Sequence, residues 1–381
     1  MKNIFILYMS SKLKTGRTVR FFYVSAATVF LILILSGCTE EPSSTPDGRG
    51  SIEIIAMGDM SLTDAAKYVP LANAKAFVTS EYGVFEFQTD EHGILRLDNL
   101  PSSIYNINIK MRHPENSSIL ITGNLLEIPI TTNEVYMDTL FAAQTAGTGI
   151  AINEIYASGP VTDIKFISDQ FIELYNYSNE TKYLDGMIIY KFAAEFIPGG
   201  TGSDTGNDGD IDGVNAAYKF PGNPGEKNYP FEPRTFKVLA TLALNHKIRI
   251  PTSIDLSNAD WEFYNPYSAT DFDNKNVPNI LNMLPHKTAD FGLNTENGVI
   301  ILSSGEDINT EDGIDISTII DGVQYRYNNA SVHTLDLRVD KSTVISPSQY
   351  SGKSIQRREE GYDTNNGKLD WIIGSPTPGR Q

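Results

Sequence analysis

The tightest constraint on how this chain can fold is the alternation of apolar and polar residues between Ile150 and Tyr190. Ile150, Ile152 and the pair Ile155 and Tyr156 bracket Asn153 and Glu154; further on, Phe171, Ile172, Leu174 and Tyr175 bracket Glu173. A period near two predicts half-buried strands, because successive side chains point to opposite faces of a sheet. Asn176, Ser178, Asn179 and Glu180 make a polar turn, and Leu184-Asp185-Gly186 leads into a third run from Met187 to Tyr190. The residues after Tyr190 read as more of the same sandwich, and those before Ile150 as an arm and a tether.

The same residues carry a resemblance. Ile152-Asn153-Glu154-Ile155, Phe171-Ile172-Glu173-Leu174-Tyr175-Asn176 and Leu184-Asp185-Gly186 resemble the opening of a lamin-tail domain. Ser354-Ile355-Gln356-Arg357, Asp370-Trp371 and Ser375-Pro376-Thr377-Pro378-Gly379 resemble its ending. The resemblance implies an immunoglobulin-like β-sandwich, in bacteria a binding or adhesion part of exported proteins, and it brings no catalytic residues. About 165 residues separate the two ends, against roughly 100 for a whole plain immunoglobulin-type sandwich. A second domain over 150–381 is therefore expected to hold an insertion around 191–290.

The N-terminal region sets the compartment. Lys2, Lys12, Lys14, Arg17 and Arg20 precede an apolar run from Phe21 to Leu35, followed by Ser36, Gly37 and the single cysteine, Cys38. A charged start, a short apolar stretch and small residues at the cut form a secretory signal, too short for a membrane span. Leu35-Ser36-Gly37-Cys38 resembles the lipobox of bacterial lipoproteins, which implies that residues 1–37 are removed and that Cys38 carries the lipid. Met1 and Met9 are both candidate translation starts. Residues 38–50 read as a flexible tether rich in Pro and Ser. The pair Glu40-Glu41 resembles the signal that sends certain lipoproteins to the outer face of the outer membrane, with the periplasmic face as the alternative. One cysteine excludes an intramolecular disulfide framework.

The net charge of −17 becomes −22 once the five bases of residues 1–37 are removed. That balance argues against nucleic acid or anionic lipid as partners, because both would be repelled.

Residues 51–143 read as a first compact unit of short strands separated by turns at Tyr82-Gly83, Asp90-Glu91-His92-Gly93 and Asn99-Leu100-Pro101. The order Leu71–Val78, Thr89–Gly93, Leu97–Pro101 and Tyr105 resembles the transthyretin-like, carboxypeptidase-regulatory-like fold. It implies a small seven-stranded sandwich acting as a stalk or spacer. The fold class is thus all-β: two β-sandwiches joined near Thr145, the second larger and loop-decorated. The segment from Asn228 to Met283 resembles a two-domain lipoprotein family of unassigned function, often encoded beside energy-coupled outer-membrane receptors.

Chemistry is thinly marked. Asp204, Asp208, Asp210 and Asp212 lie in a glycine-rich loop, and alternating carboxylates can wrap Ca2+, although Lys219 stands where a helix–loop–helix site needs its bidentate glutamate. Asp271 and Asp273 form a second acidic loop, a weaker cation candidate and a candidate ligand or partner contact. Trp261 and Tyr264 are candidate ligand or partner contacts, since aromatic platforms bind sugars and peptides, although core packing is the commoner fate. The five histidines are scattered, and neither a nucleophile elbow nor a phosphate-cradling glycine loop is present. Ser253 to Trp261 reads as a helix start or capped turn, and Ile316 to Ile320 as a strand. The expected function is a non-catalytic surface lipoprotein that binds a ligand or docks onto a receptor barrel. The alternative is a structural or adhesive envelope protein, stiffened by calcium.

Overall fold

β-branched and aromatic residues at alternate positions organise the segment from Arg49 to Thr145 into one sheet, and the computed structural model describes residues 49–380 apart from 63–64, 117–118, 146–147, 164–166, 193–200, 309, 311, 328–331 and 362. Cys38 and residues 39–48 of the expected tether lie outside the described residues, and the last two of the tether, Arg49 and Gly50, already belong to the first strand. The first sheet contains β1 (Arg49–Asp59), β2 (Tyr68–Pro70), β3 (Lys75–Ser80), β4 (Gly83–Gln88), β5 (Ile94–Pro101), β6 (Ser103–Arg112), β7 (Leu120–Ile130) and β8 (Val135–Thr145). Its order is β2-β1-β8-β7-β6-β3-β4, with β5 also paired to β1. The alternation of β1 places Ile52, Ile54 and Ala56 inside, against Leu95, Leu97, Ile107 and Ile121. The Asp90 carboxylate accepts from the backbone of His92 and Ile94, both at 2.8 Å, and Gly93 takes φ +75°, so the turn closes by local bonds. Tyr105 is buried and its hydroxyl donates to the Pro101 carbonyl at 2.8 Å. The sheet has eight strands where the resemblance implied seven; β2 is the short addition, held on the end of β1 by pairing of Met57–Asp59 with Tyr68–Pro70.

The second sheet is larger. It is built from β9 (Ile150–Tyr156), β10 (Phe171–Asn176), β12 (Ile188–Phe192), β14 (Val214–Lys219), β16 (Phe236–Ala240), β17 (Trp261–Tyr264), β18 (Asn279–Asn282), β19 (Asn297–Ser303), β21 (Ile319–Arg326), β22 (Val344–Ile345), β23 (Ser354–Arg357) and β24 (Trp371–Gly374). Two small ribbons flank it, β11 (Lys182–Tyr183) with β15 (Pro230–Phe231) and β13 (Asp210–Ile211) with β20 (Ile314–Asp315). The order β22-β21-β19-β12-β14-β18-β17-β16-β10-β9-β23-β24 curls back until β21 lies beside β9. The fold is all-β, and helix among the described residues is confined to single turns.

Of the two alternatives for Ser253–Trp261 the structure holds the capped turn, in which Asp255 accepts from the Ser257 backbone before the chain enters β17. Two other local expectations fail. Ile316–Ile320 is not one strand: Asp315 caps Ser317 at 2.8 Å, making a 3-10 turn before β21 begins at Ile319. β9 and β10 are not half-buried, for every residue in both is buried, Asn153, Glu154 and Glu173 included. Polar side chains enclosed in this way need partners inside the protein.

Candidate functional site

Glu154 and Glu173 face each other directly across β9 and β10. Among the described residues neither carboxylate has a cation in an ion pair with it; both are met by donors from the C-terminal segment. Thr377 donates its backbone N–H to Glu154 at 3.1 Å and its hydroxyl at 3.0 Å, and the Gly379 N–H donates to Glu173 at 2.6 Å. Gln356 Nε2 also donates to Glu154, and Asn153 Nδ2 to Glu173, both at 3.1 Å. The ending Ser375-Pro376-Thr377-Pro378-Gly379 is thus a lid over two buried acids. Burial nevertheless pushes Glu173 up to about 8, with Glu154 adding to the rise and the Gly379 and Asn153 donors opposing it. Burial raises Glu154 as well.

On the seam where β21 meets β9, a different device operates. Arg357 is fully buried; its Nη2 reaches Asp321 at 2.8 Å, its Nη1 reaches Asp363 at 3.0 Å and Asp370 at 3.3 Å, and its Nε donates to the Ile152 carbonyl at 3.0 Å. The Ile152 N–H in turn donates to Asp321 at 2.7 Å, so one ion pair closes the sheet across strands that share no regular ladder. The Trp371 ring lies 4.6 Å from the guanidinium. Burial raises Asp321 and Asp370 while Arg357 pulls them down. Asp340 stands well above the ordinary range, through burial and the neighbouring Asp370.

The loop residues singled out from sequence fall apart into structural roles. Trp261 is buried, edge-on to Phe220 at 5.1 Å and to Tyr229 at 5.3 Å, so it is a core residue and not a contact platform. Tyr264 is half-buried with Lys275 Nζ 5.9 Å from its ring. Asp271 accepts from the Asn265 backbone at 2.7 Å, and Asp273 from Lys275 and Asn279. Asp204 accepts from the Asp208 and Gly209 backbone and pairs with Arg338 at 2.6 Å. Asp208 accepts from the Asp210 backbone at 3.3 Å and Asp212 from Thr205 at 2.9 Å. Among the described residues no group of three or more His, Cys, Asp or Glu side chains is arranged to hold a metal ion.

The recess with binding character lies elsewhere, where the first sheet meets the second. A cleft of about 610 Å³ is lined by Lys75, Lys110 and Arg112 from one side and by Arg234, Arg358 and Glu359 from the other. Lys110 pairs with Glu359 at 2.7 Å, and Lys75 pairs with the same carboxylate and, at 3.0 Å, with Glu86. Arg112 stacks 4.7 Å over Tyr177. Arg234 donates to the Asn179 amide oxygen at 2.9 Å, and Arg358 to the Leu369 carbonyl at 3.2 Å. Burial pushes Lys110 down to about 8, and burial together with Arg234 lowers Arg112. Arg234 itself takes φ +58°, a left-handed backbone rare for an arginine. Reading by net charge missed this concentration of bases; Lys110 and Arg112, two apart on one strand and so on one face, were the signal available.

The fold and cleft define an all-β protein of two large sheets with a polar recess at their junction. Residues 232–375 match the family described as "Protein of unknown function (DUF4876)". The structure is similar to the crystal structure of a DUF4876 family protein from Bacteroides thetaiotaomicron VPI-5482, at 18% identity over 84% of this chain and 94% of that chain, with a TM-score of 0.53. At that identity the likeness speaks for the fold. No curated protein matches the chain in sequence.

Proposed function

We propose that the chain is a non-catalytic, lipid-anchored module of the outer membrane, held by acylated Cys38 and displayed at the cell surface. On this reading it binds a ligand or docks onto a receptor barrel. The observation that carries it is the cleft of about 610 Å³ at the junction of the sheets, a size typical of ligand pockets. Its charged lining suits holding a ligand by ion pairs and hydrogen bonds. The signal-like stretch up to Cys38 supports the anchor, since acyl chains buried in the bilayer give stable attachment. Palmitate labelling of cells expressing wild type and Cys38→Ser tests it: the label and membrane association should both vanish in the variant. An unlabelled wild-type protein in the soluble fraction would sink the anchor. Recovery of a barrel with the detergent-solubilised protein would support docking, and repeated failure would leave ligand binding alone.

A second reading, a structural or adhesive envelope part stiffened by Ca2+, is favoured by the pairing of Asp210 with Asp315 across a short ribbon. There burial, Asp208 and Asp315 all push the Asp210 carboxyl up. A melting temperature that falls in EDTA and returns with Ca2+ would support it; an indifferent melt removes the calcium.

A further inference from the structure

We infer that the cleft between the sheets takes a small ligand bearing carboxylate, sulfate or phosphate groups, about the size of an acidic disaccharide. This rests on the binding-module reading and names the chemistry its ligand must have. Five cations line the cleft against two carboxylates, Glu359 and Glu360, in a chain whose overall charge is −17. Positive charge is thus gathered at one place against the sign of the molecule. Arg112 and Arg234 line the same cleft, and the like charge of Arg234 helps burial to lower Arg112. Arg234 bonds to the Asn179 amide oxygen and the Tyr175 side chain, and Arg358 to the Leu369 carbonyl, groups that carry no negative charge to neutralise the guanidinium. Guanidinium groups match planar and tetrahedral oxyanions through paired N–H donors. Met111 and Leu120 supply an apolar wall for the body of such a ligand. The surrounding negative field repels long polyanions, so the recess selects small acidic molecules over nucleic acid.

Glu359 shows how an oxyanion is received there. Its carboxylate bridges Lys75 of β3 and Lys110 of β6, fastening the second sheet's side of the cleft to the first. The side of the cleft with Arg234 and Arg358 offers the same kind of reception to an anion from outside.

The test is isothermal titration of the mature lipidated protein in detergent micelles with digalacturonate, a disulfated disaccharide and neutral cellobiose. At least one anionic disaccharide should bind, at least tenfold tighter than cellobiose. Its affinity should fall severalfold between about 50 and 500 mM salt. The preference between the two anions reports whether carboxylate or sulfate is the natural group. Arg234→Gln and Arg358→Gln should each weaken binding roughly tenfold or more with an unchanged melting temperature, as expected when a charge-assisted bond is lost. Cellobiose binding as tightly as the anions would overturn the inference while leaving a binding module in place. Binding of none, with Cys38 acylation confirmed by mass spectrometry on the same sample, would overturn it while leaving docking. Wild-type affinity in both arginine variants would likewise overturn it. Loss of the anchor is read separately from that mass spectrum, so the two failures are distinguishable.

Discussion

Two groups of buried carboxylates in the larger sheet, Glu154 with Glu173 and the aspartates around Arg357, are satisfied by opposite means. Along β23 consecutive side chains point to opposite faces, so Gln356 serves Glu154 while Arg357 serves Asp321, Asp363 and Asp370. At the seam a guanidinium supplies charge; under the C-terminal lid only dipoles are supplied, from amides and a hydroxyl. Charge pairing ties strands together strongly but leaves a large penalty when one partner goes. Dipoles satisfy the oxygens without balancing the charge, which is why Glu173 is pushed up to about 8 despite its donors. The first group should therefore respond most to losing its cation, and the second most to pH.

The largest effect should follow Arg357→Met. It leaves three aspartates at the seam without a cation, and removing one partner of a buried pair costs about 3–5 kcal/mol. Urea denaturation should show that loss, or the variant should fail to fold. The deficit should shrink in mild acid, where the orphaned carboxyls take up protons. A loss below about 1 kcal/mol would mean the seam is held by packing, and the contrast with the lid would dissolve.

The next effect concerns Glu173. In the folded chain it keeps its proton up to about pH 8, whereas an unfolded glutamic acid releases it near about 4.3. Between those values the folded state binds more protons, so stability falls as pH rises and levels off above about pH 8. One such group contributes a slope of at most about 1.4 kcal/mol per pH unit. Glu173→Gln removes its share, so melting temperatures of variant and wild type should converge near pH 5 and separate in the variant's favour by about pH 8. Parallel curves would show that Glu173 is ionised throughout.

Much of this was legible in the sequence and some was not, for identifiable reasons. Alternation at Ile150–Tyr156 and Phe171–Asn176 located two strands of the sheet, because strand period is written in neighbouring residues. The same alternation misled about Asn153, Glu154 and Glu173: polar residues at alternate positions read as a solvent face, and nothing local reveals a lid more than 200 residues away. Arg357 and Asp370 stood out only as parts of a motif resembling a domain ending; that the arginine is buried among Asp321, Asp363 and Asp370 depends on β21, a loop and a helical turn that no local pattern brings together. Trp261 lay in a polar neighbourhood of sequence, yet its partners Phe220 and Tyr229 arrive from distant turns. The cleft was hidden twice, by a net charge of opposite sign and by the separation of Lys110 from Arg234 and Arg358.

The smallest effect tests whether the lid is a lid. Thr377→Val removes the hydroxyl donor to Glu154 but keeps the shape of the side chain and the backbone N–H donor to the same carboxylate. Losing one such bond should cost about 1 kcal/mol, against the several expected at the seam. Because the carboxylate then has fewer donors, its ionised form is less favoured, and the penalty should grow from about pH 5 to about pH 8. Amide exchange gives the local measure: the Gly379 N–H, bonded to Glu173, should exchange faster in the variant while Ile152, bonded to Asp321, keeps its protection. Equal acceleration at both amides would mean the C-terminal segment and the Arg357 seam open as one unit, and the two carboxylate groups would then have to be treated as a single cooperative element.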